Sequence, residues 1–420
     1  MQLLYSLFIY CYRFGIGVAA LWNIKAKKWV EGRKKQSREK IAFTQPVIWM
    51  HCASLGEFEQ GRPVFEKILE KYPAYKGVIT FFSPSGFEAT SNYKGASKIF
   101  YLPLGTRNAA KDFINLLNPA LVIWVKYEYW YHYLKILRER NIPTLLISAS
   151  FRASQPFFKW HGSLHREMLR SFTHLFVQTE GSAHLLSSLG LSSKTNVNGD
   201  TRFDRVLEVA ANIQPVPSID SFCNNSKVIV AGSTWLDDEE ELDHYANTHP
   251  EISFIIAPHE IHPSRIREIK QLFKKAITYS DYLKQKDSGN FTGLREQYNT
   301  LIIDNIGMLS RLYRYATITY VGGGFGDDGV HNVLEAAVYG KPVVFGPVFN
   351  RYMEAIELLE DGGAFTIETA LGLEKAFDDL LHDEVFYQAA AIAAKNYVYS
   401  KKGATERILR FIQEKRLLTS

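Results

Sequence analysis

Residues 46–72 read PVIWMHCASLGEFEQGRPVFEKILEKY. The apolar run from Pro46 to Met50 has the composition of a strand buried on both faces, and from Phe58 onward apolar residues recur at helical spacing. A strand that passes through a short loop into a helix is the repeating unit of a parallel α/β sheet. Ligands of such sheets bind outside the C-terminal ends of the strands. Glu57 then has two compatible readings. Ser54-x-x-Glu57 fits a capping box, in which the serine and the glutamate satisfy N–H groups of the first turn. The same position aims a carboxylate out of a strand end.

The pattern repeats in both directions along the chain. Strand-like KGVITFFS, ALVIWVKYEYW, TLLISAS and THLFVQT alternate with helical YHYLKILRERN and EGSAHLLSSLG. Across residues 211–226, ANIQPVPSIDSFCNNS, periodicity gives way to Pro, Ser and Asn, which reads as a linker. The alternation restarts with KVIVAGS, ISFIIAPHE, TLIID, ITYVGGG and KPVVFGP. Two doubly wound α/β domains are expected, 41–210 and 227–395, with the helix of residues 396–420 packing back on the first. The polar stretch 282–298 reads as a loop or edge excursion.

A chain of 420 residues with 46% hydrophobic content can bury two full cores. Its three cysteines, Cys11, Cys52 and Cys223, are far apart, so neither a disulfide framework nor a zinc site is indicated and a reducing compartment fits. The twelve histidines show no ligand spacing, and no metal is expected. The net charge of +5 is concentrated in residues 25–40, KAKKWVEGRKKQSREK, with eight Lys/Arg against two Glu. Residues 3–22, LLYSLFIYCYRFGIGVAALW, are apolar apart from Ser6 and Arg13. Arg13 near the centre of a full span would cost roughly 2.5–3.5 kcal/mol. Residues 1–40 are therefore read as an interfacial membrane anchor, with the basic patch on anionic lipid rather than nucleic acid. A helix buried in the protein's own core is the alternative.

The glycine-rich stretch YVGGGFGDDGVHNVLEAAVYGKPVVFGP spans 320–347. Gly324, Gly326 and Gly329 match G-x-G-x-x-G, but Asp327 and Asp328 inside the loop and its place in the second domain argue against a dinucleotide fingerprint. Asn332 and Glu335, one helical turn apart, suit a ribose diol; Glu335 reads equally as a solvated or capping carboxylate. AGSTW (231–235) and IIAPHEIHPSR (255–265), with His259, His262 and Arg265, end two further strands. Three polar strand ends on one edge predict a nucleotide pocket.

WMHCASLGEFEQG, ITFFSPSGFE, VKYEYW, NGDTRFD, AGSTW, IGMLSRLY and GGGFGDDGVHNVLEAA occur in this order, and the chain resembles the 3-deoxy-D-manno-octulosonic acid (Kdo) transferases. The resemblance implies a GT-B glycosyltransferase fold, two Rossmann-like domains facing a cleft, and transfer of Kdo from CMP-Kdo to a lipid A precursor with inversion. It implies a protein at the cytoplasmic face of the inner membrane that needs no cofactor. Glu57 matches the family's catalytic base, Glu128 its second acid, and Arg202 a cation that stabilises the transition state. Gly307, Met308 and Leu309, together with Asn332, Val333, Leu334 and Glu335, match its CMP-binding segments. Ser233, Thr234, Pro258, His259, His262, Gly323, Gly324 and His331 complete the expected donor site. The family's P-R-H-P appears here as PHEIHP, so His259, Arg265 or another cation would replace its arginine. Lys126 stands where the family has a further acid, and Tyr131 where it has proline. Two rivals remain: a GT-B enzyme that uses a UDP-sugar, and a dinucleotide-binding oxidoreductase built on GFGDDG.

Overall fold

The computed structural model describes residues 2–36, 42–287 and 297–419. The chain divides into two compact units, 1–205 with 402–420, and 206–401.

The first unit is built on seven parallel strands: β1 (Val47–Cys52), β2 (Lys76–Phe81), β3 (Lys98–Tyr101), β4 (Pro119–Val125), β5 (Thr144–Ala149), β6 (His174–Val177) and β7 (Thr195–Val197). Their order is β3-β2-β1-β4-β5-β6-β7. Every residue of β1 is buried, because alternate side chains enter two cores. Val47 and Trp49 face one core, while Ile48, Met50 and Cys52 face the other. The helix Leu55–Lys71 covers the second face, together with Ile408, Leu409 and Ile412 of the C-terminal helix Ala404–Glu414.

The second unit repeats the design with β8 (Val228–Thr234), β9 (Ser253–Pro258), β10 (Ala276–Thr278), β11 (Thr300–Ile302), β12 (Ile318–Val321), β13 (Val343–Phe345) and β14 (Ala364–Thr366). The order here is β10-β11-β9-β8-β12-β13-β14, again all parallel. In both sheets the direction of winding reverses once, between β1 and β4 and between β8 and β12. The C-terminal side of such a switch point leaves a crevice that neighbouring loops do not fill.

The division differs from the expected boundaries. Residues 211–226 are not an irregular linker: the helix Thr201–Asn212 runs into them, and Pro217–Cys223 forms a helix that buries Ile219 and Phe222. Proline at the first helical position and Asn224 in the left-handed conformation at the end are helix start and stop signals, which in isolation look like loop composition. The passage between units falls inside the helix Thr201–Asn212, after Arg205. The chain returns at Lys402, later than residue 396, because the helix Glu384–Ser400 belongs wholly to the second unit. Within the stretch 282–298, residues 282–287 close the helix Tyr279–Asp287, and 288–296 lie outside the described residues.

At the N-terminus, α1 (Gln2–Ala19) and α2 (Ile24–Gln36) bend against each other by 117°. Among the described residues no single helix is long and apolar enough to cross a membrane; this bent pair passes by length and composition only. Ser6 bonds His132 at 3.0 Å, the Tyr5 hydroxyl accepts from the Tyr131 N–H, and Ile9 is buried. Leu4, Leu7, Phe8 and Phe14 stay exposed on α1. Residues 37–40 of the basic patch lie outside the described residues.

Candidate functional site

The two loops that flank the β1/β4 switch point carry Glu57, Lys126 and Glu128. Glu57 stands at the third position of its helix and folds back so that its carboxylate accepts from the N–H groups of Ala53 and Ser54. Its side chain is buried. Burial pushes this carboxyl up to about 7, opposed by the Ala53 N–H; the charge of Glu128 adds to the rise, while the Ser54 N–H and Lys126 counter it. A carboxyl set near 7 can both take and release a proton at neutral pH.

Glu128 follows β4 and is held from two sides, by Trp130 Nε1 at 3.0 Å and by His51 Nε2 at 3.2 Å, both on Oε2. His51 is wholly buried in β1, and its Nδ1 lies 2.9 Å from the Thr80 hydroxyl, which also accepts from Trp49 Nε1 at 2.9 Å. The assignment that satisfies every group has Thr80 donating to Nδ1, so that Nε2 carries the hydrogen and donates to Glu128. The charge of Lys126, at positive φ between β4 and Glu128, reaches both Glu57 and Asp200.

Arg202 is not a free cation. Its Nε and Nη2 reach Asp200 Oδ2 at 2.9 and 2.8 Å, and its N–H reaches Oδ1 at 2.9 Å. Gln60 and Gln178 also donate to Asp200. Burial would raise the Asp200 carboxyl, but Arg202 and then Lys126, with the Arg202 hydrogen bonds, outweigh it and hold the group below its ordinary value. Glu57, Glu128, Lys126 and the Asp200–Arg202 pair thus form one electrostatic cluster within the first unit.

In the second unit the loops after β8 and β12 flank the other switch point. Asp238 ties them together, accepting from the N–H of Trp235 at 2.9 Å, the N–H of Gly323 at 2.8 Å and the Tyr320 hydroxyl at 2.8 Å. Ser233 and Gly323 both have positive φ. Gly324 passes against Gly346, where a Cβ would meet the backbone N at 2.5 Å, so only glycine lets the two loops touch. His259, after Pro258, stacks on both Trp235 and His331, each ring centroid 4.6 Å away. Burial, and then the neighbouring His259, push His331 down to about 4, so it stays neutral and accepts from Trp235 Nε1 at 3.1 Å. Gly307, at positive φ, leads through buried Met308 into Leu309, whose side chain packs with Tyr313 beside Gly232. This brings the segment Gly307–Leu309 to the end of β8. Thr234 bonds Glu239 at 2.7 Å.

Two expectations are corrected. Arg265 is engaged by buried Glu239 and by Glu268, with its side chain only 12% exposed, so of the cations named for the missing arginine His259 is the one that faces solvent. Asn332 and Glu335 do not sit one turn apart on a helix: the helix is Leu334–Ala337, and Asn332 precedes it, donating to Glu335 at 2.9 Å while its oxygen accepts from the Leu334 N–H. Val333 and Leu334 between them are buried and fix this pair in place. His262 precedes the helix Pro263–Leu272 and is exposed. Sequence reasoning missed His51, Asp200 and Asp238. Asp200 lies inside NGDTRFD and Asp238 has capping-box spacing, whereas a histidine in an apolar strand gives no signal of its partner. Among the described residues no cluster of three or more His, Cys, Asp or Glu could hold a metal ion.

Residues 27–205 match the family model described as 3-deoxy-D-manno-octulosonic-acid transferase (kdotransferase). Curated 3-deoxy-D-manno-octulosonic acid transferases of Haemophilus influenzae and Chlamydia trachomatis are 27% and 26% identical, over 86% of this chain and 85% and 84% of theirs. A bifunctional glycosyltransferase/methyltransferase of Fusobacterium nucleatum is 26% identical over 94% of this chain, which spans 59% of that protein's length. Among solved structures, the UDP-GlcNAc 2-epimerase of Neisseria meningitidis superposes with a TM-score of 0.62 at 18% identity, covering 88% of this chain and all of that one. Acinetobacter baumannii MurG gives 0.54 at 13% identity, covering 88% and 99%. The chain thus has the GT-B fold, and its residues 27–205 match the Kdo transferase family model.

Proposed function

We propose that this protein moves Kdo from CMP-Kdo onto a lipid A precursor, with inversion at the anomeric carbon. The observation that carries the reading is Glu57, a buried carboxyl raised to about 7 at the switch point of the family domain. Glu57 takes the proton of the acceptor hydroxyl as that oxygen attacks the anomeric carbon, which passes through an oxocarbenium-like state while its bond to the phosphate oxygen breaks and CMP leaves with the electron pair. Glu128, fixed by His51 and Trp130, adds negative charge beside the developing cation. Loops of the second unit hold CMP, with Asn332–Glu335 on the ribose and the Gly324 N–H offered to the phosphate. Arg202 needs rearrangement of its Asp200 pair before it can meet a phosphate, so its contribution is through the shared charge cluster. The exposed apolar side of α1 and the lysines of α2 attach the protein to the cytoplasmic surface of the inner membrane.

The test is incubation of the purified protein with a tetra-acylated lipid A precursor and either CMP-Kdo or UDP-sugars, with products read by mass spectrometry. A Kdo adduct from CMP-Kdo alone is expected; a product only from a UDP-sugar would overturn the donor assignment. Deleting residues 1–24 is expected to leave CMP binding intact and to lower sedimentation with anionic vesicles.

A further inference from the structure

Apart from the charged cluster, the first unit contains a cavity of about 780 Å³ between the α1–α2 hairpin, the end of β3 and the helix Arg107–Leu117. Its volume is within the range of small-molecule sites. The hairpin is fixed at its rim: the Gln36 side chain pairs with the Tyr101 N–H at 2.6 Å and the Tyr101 carbonyl at 2.8 Å, in the manner of an added strand on the edge of β3. Arg33 donates to the carbonyls of Leu102 at 3.0 Å and Phe82 at 2.9 Å, and stacks 3.7 Å from the Trp29 ring.

Among the described residues three cations line this cavity, Arg13, Arg33 and Lys34, against one carboxylate, Asp112. Among the described residues no carboxylate pairs with Arg33, whose hydrogen bonds go to carbonyls. Burial lowers its guanidinium to about 9, the direction expected of a cation that lacks a close anion. Apart from Gln36 and Thr106 the remaining wall is apolar, with Trp29, Phe113 and Leu116 prominent. A cationic rim over an apolar wall fits an amphiphile better than a nucleotide or a free phosphate. The same helix that supplies Arg13 exposes Phe8 and Phe14.

We propose that this cavity binds one molecule of an anionic phospholipid, its phosphate among Arg13, Arg33 and Lys34 and an acyl chain along Trp29, Phe113 and Leu116. The site goes beyond the transferase reading and does not depend on it, since binding is measured without donor or acceptor.

Native mass spectrometry of the full chain in a non-ionic detergent tests this, with phosphatidylglycerol as the probe and phosphatidylcholine and glycerol 3-phosphate as controls. A one-to-one phosphatidylglycerol adduct is expected, weakened roughly 10-fold or more in the double variant Arg13→Gln, Lys34→Gln. Ala109→Trp, which fills the cavity from the helix Arg107–Leu117, should abolish the adduct; Leu116→Trp serves the same end if the first variant melts early. Equal binding of phosphatidylcholine, an adduct that survives both cavity-filling variants, or glycerol 3-phosphate bound as tightly as the lipid would each overturn the proposal.

Discussion

Glu57 joins two roles that a single substitution separates. Glutamine keeps the shape of the capping arm but cannot take a proton, so Glu57→Gln should lower transfer by roughly 10²-fold or more while CMP still binds. The pH dependence gives a second, independent reading. Because the carboxyl is raised from an ordinary 4.5 to about 7, the fold favours its protonated form. Stability from this group is therefore complete below about 4.5 and is lost as pH rises through about 7. Activity should run the opposite way, rising through pH 7 as the base deprotonates. Thermal unfolding from pH 4.5 to 8 should then show the Gln variant gaining on the parent with rising pH; parallel curves would mean that Glu57 does not titrate there. The identity of this residue was legible in the sequence, since Ser54-x-x-Glu57 marks both a strand exit and a helix start. Its set point was not, because that depends first on burial in the folded unit and then on the Ala53 N–H and on Glu128, 71 residues on in the sequence and brought close by the β1–β4 pairing.

The strands were the most legible elements, for a physical reason. A parallel strand buried on both faces must be an unbroken apolar run, as in residues 121–125 (LVIWV) of β4, so composition alone reveals it. The short helices were not legible in this way. Pro217–Cys223 has only seven residues, and its punctuation by Pro and Asn is shared with loops. Leu334–Ala337 starts two residues later than spacing implied, because Asn332 hydrogen-bonds the Leu334 N–H and acts before the helix rather than within it. The glycine loop after β12 supports a sharper expectation about which glycine matters. Gly324→Ala would drive a Cβ into the Gly346 backbone and should destabilise the second unit by roughly 1–3 kcal/mol. Gly326, whose nearest neighbour to such a Cβ is the Gly323 carbonyl at 3.7 Å, should accept alanine with a change of about 0.5 kcal/mol or less. Urea unfolding of the two variants decides whether the loop is held by this contact or by its match to G-x-G-x-x-G.

The chain passes between its two units twice, after Arg205 and after Lys401, so the first unit is discontinuous in sequence and the second is not. The discontinuity is stabilised by specific bonds inside the first unit. Asp204 accepts from the N–H groups of Gly403 at 2.5 Å and Thr405 at 2.6 Å, Asn198 donates to the Ala404 carbonyl at 2.8 Å, and Arg407 donates to the Asn198 carbonyl at 2.7 Å. Behind these bonds Ile408, Leu409 and Ile412 fill the core that also contains Ile48, Met50 and Ile123. A fragment of residues 206–401 should accordingly fold alone, whereas residues 1–205 alone would expose the apolar surface that the last helix covers. Joining Arg205 to Lys402 through a flexible linker of about 15 residues should restore a cooperative first unit. Calorimetry distinguishes the cases: one sharp transition is expected for 206–401 and for the linked form, and a broad transition or aggregation for 1–205. In the linked form Asp204→Ala should then lower the midpoint, because two buried-end N–H groups lose their shared acceptor, at about 1–3 kcal/mol. A linked form no more stable than residues 1–205 alone would show that the terminal helix is carried on the unit rather than being part of its core.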